Sequence, residues 1–392
     1  MPKRHQLNYR CPVCRGTDIQ LILEIPQTPT HCNLLWPERS RAHEAPRGEI
    51  RLGYCSTCTH IYNYAFDAKQ MEYTQKYENS LHFSPRFQDY ATSLASKLIE
   101  KYDLHGKIII EIGAGKGDFL IMLSEMGGNR GLGFDPSYEP GLGEHLSDRV
   151  TFVQDFYSEK YADLDADLIC CRHVLEHIDE PSTFIENIRR AVGEREETVF
   201  FFEVPNVKYT LVDMGIWDII YEHCSYFNSR SLAWLFSSTG FSVREVTETF
   251  SGQFLTIDAH ASYNVEATGK ESREIRENVA LFTASYQQKV STWRKVISEI
   301  VQRGQKAVVW GAGSKGVSFL NTINGEQAFE YVVDLNPRKQ GMFVAGTGQK
   351  IVSPNFLKEY RPDLVVIMNP NYKKEILQML AEMDLAPDLR LA

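Results

Sequence analysis

The feature that most constrains this chain is a glycine-rich turn after a short apolar run, in the stretch KIIIEIGAGKGDFL at residues 107–120. The run has the length and composition of a strand buried on both faces of a parallel sheet. Gly113, Gly115 and Gly117 let the backbone turn tightly and approach a ligand before a helix begins. Together with Glu111 just before the turn, they predict an α/β fold with a nucleotide-cradling loop.

The runs that follow support a cofactor site. LGFD ends a second apolar run at Asp135, 20 residues after Gly115, where a carboxylate accepts hydrogen bonds from a ribose diol. The glycine pattern resembles the first motif of class I S-adenosylmethionine (SAM) methyltransferases more than a dinucleotide fingerprint. That resemblance implies that Asp155, after the third run VTFVQDF, lies near the adenine. The alternative is an α/β core without a cofactor.

Composition excludes several classes of protein. The 392 residues suffice for two or three domains, and the net charge of −9 argues against general binding to nucleic acid. No apolar run is long enough for a membrane span, and the N-terminus lacks the apolar core of a signal peptide. The sequence therefore predicts a cytoplasmic protein with no nucleic-acid or membrane partner. Eight cysteines in a chain of this size do not indicate a disulfide framework.

Four of these cysteines have metal-ligand spacing. Cys11 and Cys14 form one C-x-x-C knuckle, and Cys55 and Cys58 form a second. Two such knuckles supply four thiolates to one tetrahedral ion, which predicts a closed structural zinc site in a ribbon domain at residues 1–66. A redox dithiol is the alternative, and Cys32 is interpreted as a lone thiol.

The sequence pattern assigns three further segments of the chain. Residues 67–102 form a tyrosine-rich helical linker, in which Tyr73 and Tyr77 either pack in the core or face a substrate. We assign residues 103–265 to the SAM-binding domain and residues 266–303 to one long amphipathic helix that links domains.

Residues 304–392 form a second α/β unit. It contains a G-x-G-x-x-G pattern at Gly311, Gly313 and Gly316, with Asp334 at 21 residues after Gly313. Taken alone, this is a dinucleotide fingerprint, so the chain carries two predicted Rossmann-like units.

The combination resembles, across nearly the whole chain, the three-domain C-methyltransferases that act on nucleotide-linked keto-deoxysugars. The resemblance rests on the paired C-x-x-C, the linker KYENSLHFS, EIGAGKG, HVLEHI, IIYEHCSYF and WGAGSKG. It implies a small-molecule nucleotide-sugar substrate and a monomer or weak homodimer. It also implies that Gly311, Gly313, Lys315 and Gly316 help to hold the substrate and that this unit performs no redox chemistry.

The resemblance further implies catalytic residues. Methylation beside a ketone needs a base for the α-proton and donors for the enolate oxygen. His223 with Glu222 is the expected base pair, while His177 and Tyr77 match other active-site positions of the family. The sequence reads Ile-Tyr-Glu-His at residues 220–223, where the family has the pattern Tyr-His-Glu-His, so Tyr221 stands for either the tyrosine or the first histidine.

Other functions remain open at this point. An O-methyltransferase acting on a sugar hydroxyl could use the same His-Glu pair. An NAD-dependent oxidoreductase would use the Gly311 turn and Asp334, but only 58 residues follow Asp334, too few for a separate catalytic domain. A zinc-ribbon methyltransferase acting on nucleic acid would need a basic surface.

Overall fold

A computed structural model describes residues 10–71, 78–138, 148–262 and 273–392. The N-terminal part forms an antiparallel meander followed by one long helix. Its elements are β1 (Ile19–Pro29), α1 (Arg39–His43), β2 (Arg47–Cys55), β3 (Ile61–Asn63) and α2 (Pro85–Tyr102). Helix α2 begins where the Ser84 side chain accepts a hydrogen bond from the Phe87 amide, with Pro85 in the first turn.

The central part is a seven-stranded sheet with helices on both sides. Its elements are β4 (Ile108–Ile112), α3 (Asp118–Gly127), β5 (Arg130–Phe134), β6 (Val150–Val153), β7 (Leu168–Arg172), α4 (Pro181–Val192), β8 (Val199–Pro205), α5 (Val207–Leu211), β9 (Ser225–Tyr226), α6 (Ser229–Ser238), β10 (Phe241–Thr249) and β11 (Phe254–Ala261). The strand order is β10-β11-β8-β7-β4-β5-β6, with β11 antiparallel to its neighbours. The order reverses between β4 and β7, and ligands of doubly wound sheets bind at the carboxyl ends of strands at such a switch point.

The C-terminal part begins with the long helix and continues as a parallel sheet. Its elements are α7 (Arg273–Arg303), β12 (Ala307–Trp310), α8 (Ser314–Ile323), β13 (Phe329–Val333), β14 (Lys350–Val352), α9 (Leu357–Tyr360), β15 (Leu364–Ile367), α10 (Lys373–Glu382) and β16 (Asp388–Leu391). The strand order β14-β13-β12-β15-β16 has its own switch point between β12 and β15. The predicted α/β class, with two Rossmann-like sheets and an N-terminal cysteine cluster, is confirmed.

The three parts share strands and core. Strand β9, from the central part, completes the N-terminal sheet by pairing with β3. One hydrophobic cluster contains Tyr54 of β2, Trp217, Trp293 of α7 and Phe319 of α8, so α7 packs between the parts along its apolar face. No helix among the described residues has the length and apolarity to cross a membrane.

Candidate active site

The first glycine-rich turn follows β4 at the switch point. Gly113 has a φ of 71°, and a Cβ there would lie 2.2 Å from the Val174 side chain, so the turn requires glycine. Asp135 at the end of β5 accepts a hydrogen bond from the Gly115 amide at 2.8 Å. A Cβ on Gly115 would meet nothing within 4 Å, so the outer side of the turn is open.

Two other predicted cofactor residues differ in environment. The Glu111 side chain is buried, and burial raises its pKa to about 8. Its Oε2 atom has no hydrogen-bond partner within the described ranges. Asp155 is more exposed and accepts hydrogen bonds from Lys160 at 2.8 Å and Tyr161 at 2.7 Å. Those contacts would have to rearrange for Asp155 to contact an adenine.

Ionisable side chains gather where β7 ends, one strand away from the turn. Glu176 and His177 lie in a short 3₁₀ turn after β7, and His223 lies in the loop before β9. The ring centroids of His177 and His223 are 5.1 Å apart. The structure therefore brings together two of the predicted catalytic residues, which are far apart in the sequence.

Hydrogen bonds between the two loops fix this arrangement. The His177 Nδ1 atom lies 3.0 Å from the Glu222 carbonyl oxygen, and the Ser225 hydroxyl donates to the Ile178 carbonyl at 3.1 Å. These contacts run from one loop to the backbone of the other. The histidine pair is therefore held by backbone groups rather than by long, flexible side chains.

The three histidines near this edge differ in charge. Burial lowers the pKa of His177 and of His223 to about 4, so both rings are neutral at pH 7. Burial also disfavours the charged form of His173, but hydrogen bonds to Glu176 and Glu203 raise its pKa to about 9. The His173 Nε2 atom lies 2.9 Å from the Glu203 carboxylate.

Asp218 links the histidine pair to the C-terminal part. The Lys315 ammonium of α8 donates to the Asp218 carboxylate at 2.9 Å. Burial would raise the pKa of Asp218, but Lys315 and His223 outweigh it and lower the pKa. Asp218 and His223 line a small cavity together with Tyr226. Lys315, which is predicted to hold substrate, is thus linked to the predicted base His223 through one intervening residue, Asp218.

The other predicted catalytic residues point elsewhere or lie outside the described residues. The Glu222 carboxylate is fully buried and accepts from the Cys32 amide at 2.9 Å. Tyr221 is buried against Gly48, and its hydroxyl accepts from the Asp67 amide at 2.9 Å. Both side chains therefore face the N-terminal part. Tyr77 and its neighbour Tyr73 lie in the segment 72–77, outside the described residues.

The second glycine-rich turn is enclosed by polar contacts. Asp334 accepts from the Ala312 amide at 2.8 Å, as Asp135 does for the first turn. A Cβ on Gly316 would lie 2.0 Å from the Gly311 carbonyl oxygen, so α8 packs directly on the turn. Buried Lys339 donates to the Ala312 carbonyl at 3.3 Å. Gly313 has an ordinary negative φ and nothing within 4 Å of a Cβ position.

Glu78 connects the two turns. Its carboxylate accepts hydrogen bonds from Lys116 of the first turn and from Asn336 and Arg338, which follow β13, at 3.0 and 3.2 Å for the latter two. The Glu78 amide donates to the Asn33 carbonyl at 2.9 Å. One buried residue therefore contacts the central and C-terminal parts through its carboxylate and the N-terminal part through its amide.

The four predicted zinc ligands form a compact cluster. The sulfur atoms of Cys11 and Cys58 lie 3.5 Å apart, as do those of Cys14 and Cys55. All four lie within 4.8 Å of one another. Sulfur atoms around one tetrahedral zinc ion are about 3.8 Å apart, given zinc–sulfur bonds of roughly 2.3 Å, so the cluster fits that ion.

Sequence reasoning missed three site residues. Glu176 stands beside His177 in HVLEHI, and its position just after a parallel strand could have indicated a role. His173 lies at the start of the same motif. No sequence motif around Asp218 indicates a role for it, because its position beside His223 depends on how residues 216–226 fold against α8.

Comparisons with known proteins agree with the two-unit architecture. Residues 85–246 match the family described as a methyltransferase domain, and residues 258–386 match the family described as a C-methyltransferase C-terminal domain. The C-methyltransferase NovU of Streptomyces niveus is 24% identical over 292 residues, which are 69% of this chain and 68% of that protein.

Solved structures of methyltransferases resemble the chain more distantly. A Burkholderia thailandensis 1,6-didemethyltoxoflavin-N1-methyltransferase with S-adenosylhomocysteine is 19% identical, with a TM-score of 0.34, over 46% of this chain and 82% of that one. The DhpI complex with S-adenosylhomocysteine is 21% identical, with a TM-score of 0.34, over 45% of this chain and 87% of that one.

Proposed function

We propose that this SAM-dependent methyltransferase, which joins a methyltransferase domain to a C-methyltransferase C-terminal domain, methylates a carbon atom of a nucleotide-linked keto-deoxysugar. The observation that carries the proposal is the neutral pair His177 and His223 beside the turn after β4. A base at this place and a C-methyltransferase C-terminal domain in the same chain favour attack by carbon over attack by oxygen.

The residues of the first turn fit the cofactor. Glu111 presents a buried carboxylate oxygen without a hydrogen-bond partner in the described part of the chain, Gly115 leaves open space, and Asp135 ends β5. SAM, when bound there, supplies an electrophilic methyl group. We assign Asp135 to its ribose and Asp155 to the adenine side.

His223 is assigned as the base. It removes the proton from the carbon next to the ketone, which converts that carbon into the nucleophile. His177, whose ring packs against that of His223, is assigned to positioning the base. Glu222 positions the loop before β9 through its hydrogen bonds with the Cys32 amide and the His177 ring. The Tyr221 hydroxyl anchors the same loop by accepting from the Asp67 amide.

We assign the second glycine-rich turn to substrate binding. Lys315 lies in the first turn of α8, and Lys339 donates to the Ala312 carbonyl of the turn. Cations near a helix N-terminus favour an anionic ligand such as a nucleotide diphosphate. We propose that this turn holds the nucleotide sugar and performs no hydride transfer.

Replacement of His223 tests the mechanism. We expect His223→Ala to lower turnover by on the order of 10²- to 10⁴-fold, with SAM affinity nearly unchanged. The wild-type protein with S-adenosylhomocysteine should also exchange the substrate's α-proton with heavy water, because proton removal comes first. Exposed His105→Ala is the matched control.

The measurement is mass spectrometry and NMR of product and substrate across a panel of nucleotide-linked 4-keto sugars. Methylated oxygen without carbon-bound exchange would replace this function by a sugar O-methyltransferase. Full turnover in His223→Ala would remove His223 as the base.

We also propose that the four-cysteine cluster binds one structural zinc ion. Elemental analysis of protein purified without chelators should give one zinc per chain. Cys55→Ser should destabilise the N-terminal sheet, observed as a lower unfolding temperature, whereas Cys170→Ser in β7 should leave zinc content unchanged. A zinc content far below one per chain would contradict this assignment.

A further inference from the structure

We infer that Glu176, His177 and His223 form a binding site for one divalent transition-metal ion. Each residue offers one ligand atom, and the three atoms lie within 4.8 Å of one another. Two imidazoles and one carboxylate are a common ligand set for such ions. This cluster is separate from the four cysteines and lies at the switch point of the central sheet.

The two histidines are oriented as metal ligands usually are. His177 directs Nδ1 to the Glu222 carbonyl, and the His223 ring hydrogen-bonds to the Asp218 backbone. A ring that donates one N–H to a carbonyl keeps the lone pair on its other nitrogen, and such backbone contacts fix the ring orientation around metal ions. Both rings are therefore set to offer a nitrogen lone pair to the same space.

Glu176 supplies the independent observation. Its side chain is 98% buried, and its Oε2 atom has no hydrogen-bond partner among the residues that the structure describes. A buried carboxylate oxygen without a donor is costly, because desolvation is uncompensated. A bound cation would compensate this cost directly.

The neighbouring positive charges do not prevent binding of a cation. His173 lies 3.6 Å from Glu176, but it also pairs with Glu203 at 2.9 Å. Lys315 pairs with Asp218 at 2.9 Å. Lys315 thus has a carboxylate of its own, whereas His173 shares Glu203 with Arg172, which lies 2.8 Å from that carboxylate. The Oε2 atom of Glu176 is the carboxylate oxygen left for an ion.

The ligand set selects the chemical class of the ion. Imidazole favours zinc, iron, cobalt and nickel over magnesium and calcium, and three protein ligands leave at least one coordination position open. An oxygen atom of the acceptor could fill it. The effect on turnover rests on the proposed function: a metal on His223 occupies the lone pair that the base needs, so the ion should inhibit methyl transfer.

Binding is tested without substrate. Full-length protein with its cysteine cluster filled by zinc is titrated with Co²⁺, followed by calorimetry, metal analysis and visible absorption. We expect one cobalt per chain in addition to zinc, without thiolate-to-cobalt charge transfer. Glu176→Gln and His223→Ala should weaken binding at least tenfold, and His260→Ala on β11 should bind as the wild type does.

The outcomes separate this site from the proposed function. Absence of the additional cobalt, or equal binding by both Glu176→Gln and His223→Ala, would overturn the metal site. Unfolding temperatures identify a variant that fails to fold, and the nearly isosteric Glu176→Gln then carries the test. Metal binding together with faster turnover would keep the site and remove His223 as the base.

Discussion

The two glycine-rich turns of this protein share a backbone plan but differ in the charged residues around them. In both, the carboxylate at the end of the next strand accepts from an amide of the turn, Asp135 in the first and Asp334 in the second. Acidic Glu111 and Asp118 flank the first turn, which suits cationic SAM. At the second turn, basic Lys315 lies at the start of α8 and basic Lys339 donates to the Ala312 carbonyl.

The turns also differ in how the chain contacts them. The outer side of the first turn is open at Gly115, whereas helix α8 after the second turn contacts the central part through Lys315 and through the Ser318 hydroxyl on the Ile219 carbonyl at 3.1 Å. A glycine pattern therefore predicts a backbone shape, while charge and neighbours decide which ligand the turn holds.

Matched glycine substitutions should give the largest difference in stability between the two turns. Gly113→Ala places a Cβ at positive φ and against Val174, so we expect a loss of about 2–4 kcal/mol of stability. Gly313→Ala has an ordinary φ and open space, so its effect should be within about 0.5 kcal/mol. Urea unfolding measures both, and similar losses in the two variants would contradict the geometry.

Matched carboxylate substitutions should separate the ligands. Asp135→Asn removes a charged acceptor from the first turn and should weaken SAM binding on the order of 10- to 100-fold. Asp334→Asn should leave SAM affinity unchanged. Calorimetry with SAM, S-adenosylhomocysteine, NAD and NADP measures which ligand each turn binds. Micromolar NAD binding that disappears in Asp334→Asn would show that the second turn is a dinucleotide site.

The smallest expected effect is a pH dependence of SAM affinity. With a pKa of about 8, Glu111 is mostly protonated at pH 7, and a cationic ligand nearby favours the carboxylate. SAM binding should therefore release a proton, and affinity should rise by at most about tenfold from pH 7 to pH 8. Calorimetry in buffers of different ionisation enthalpy measures the proton, and Glu111→Gln should abolish its release.

Local patterns predicted the parts better than their assembly. The apolar run before Gly113, the paired C-x-x-C and the apolar spacing of α7 each reflect contacts close in sequence, and the structure has the strand, the cysteine cluster and the helix. The pairing of β9 with β3 joins Ile61 to Tyr226 and Tyr62 to Ser225, which lie far apart in the sequence, and no local period encodes it.

The same limit applies to the site. Two neighbouring residues, Glu222 and His223, point in different directions where the turn at residues 221–222 ends before β9. The sequence suggested a Glu-His pair, whereas the Glu222 carboxylate contacts Cys32 and the His223 ring contacts His177. Proximity in sequence was not a measure of proximity in the site.

Sharing of Glu78 between Lys116 and Arg338 should couple the binding affinities of the two ligands. A ligand that displaces either cation from Glu78 changes the electrostatic interaction of the other cation with that carboxylate. Ligand binding at one turn should therefore affect ligand binding at the other. Whatever factor SAM exerts on acceptor affinity, the acceptor exerts on SAM affinity. Glu78→Gln should therefore bring that factor closer to one, as measured by SAM calorimetry with and without the acceptor.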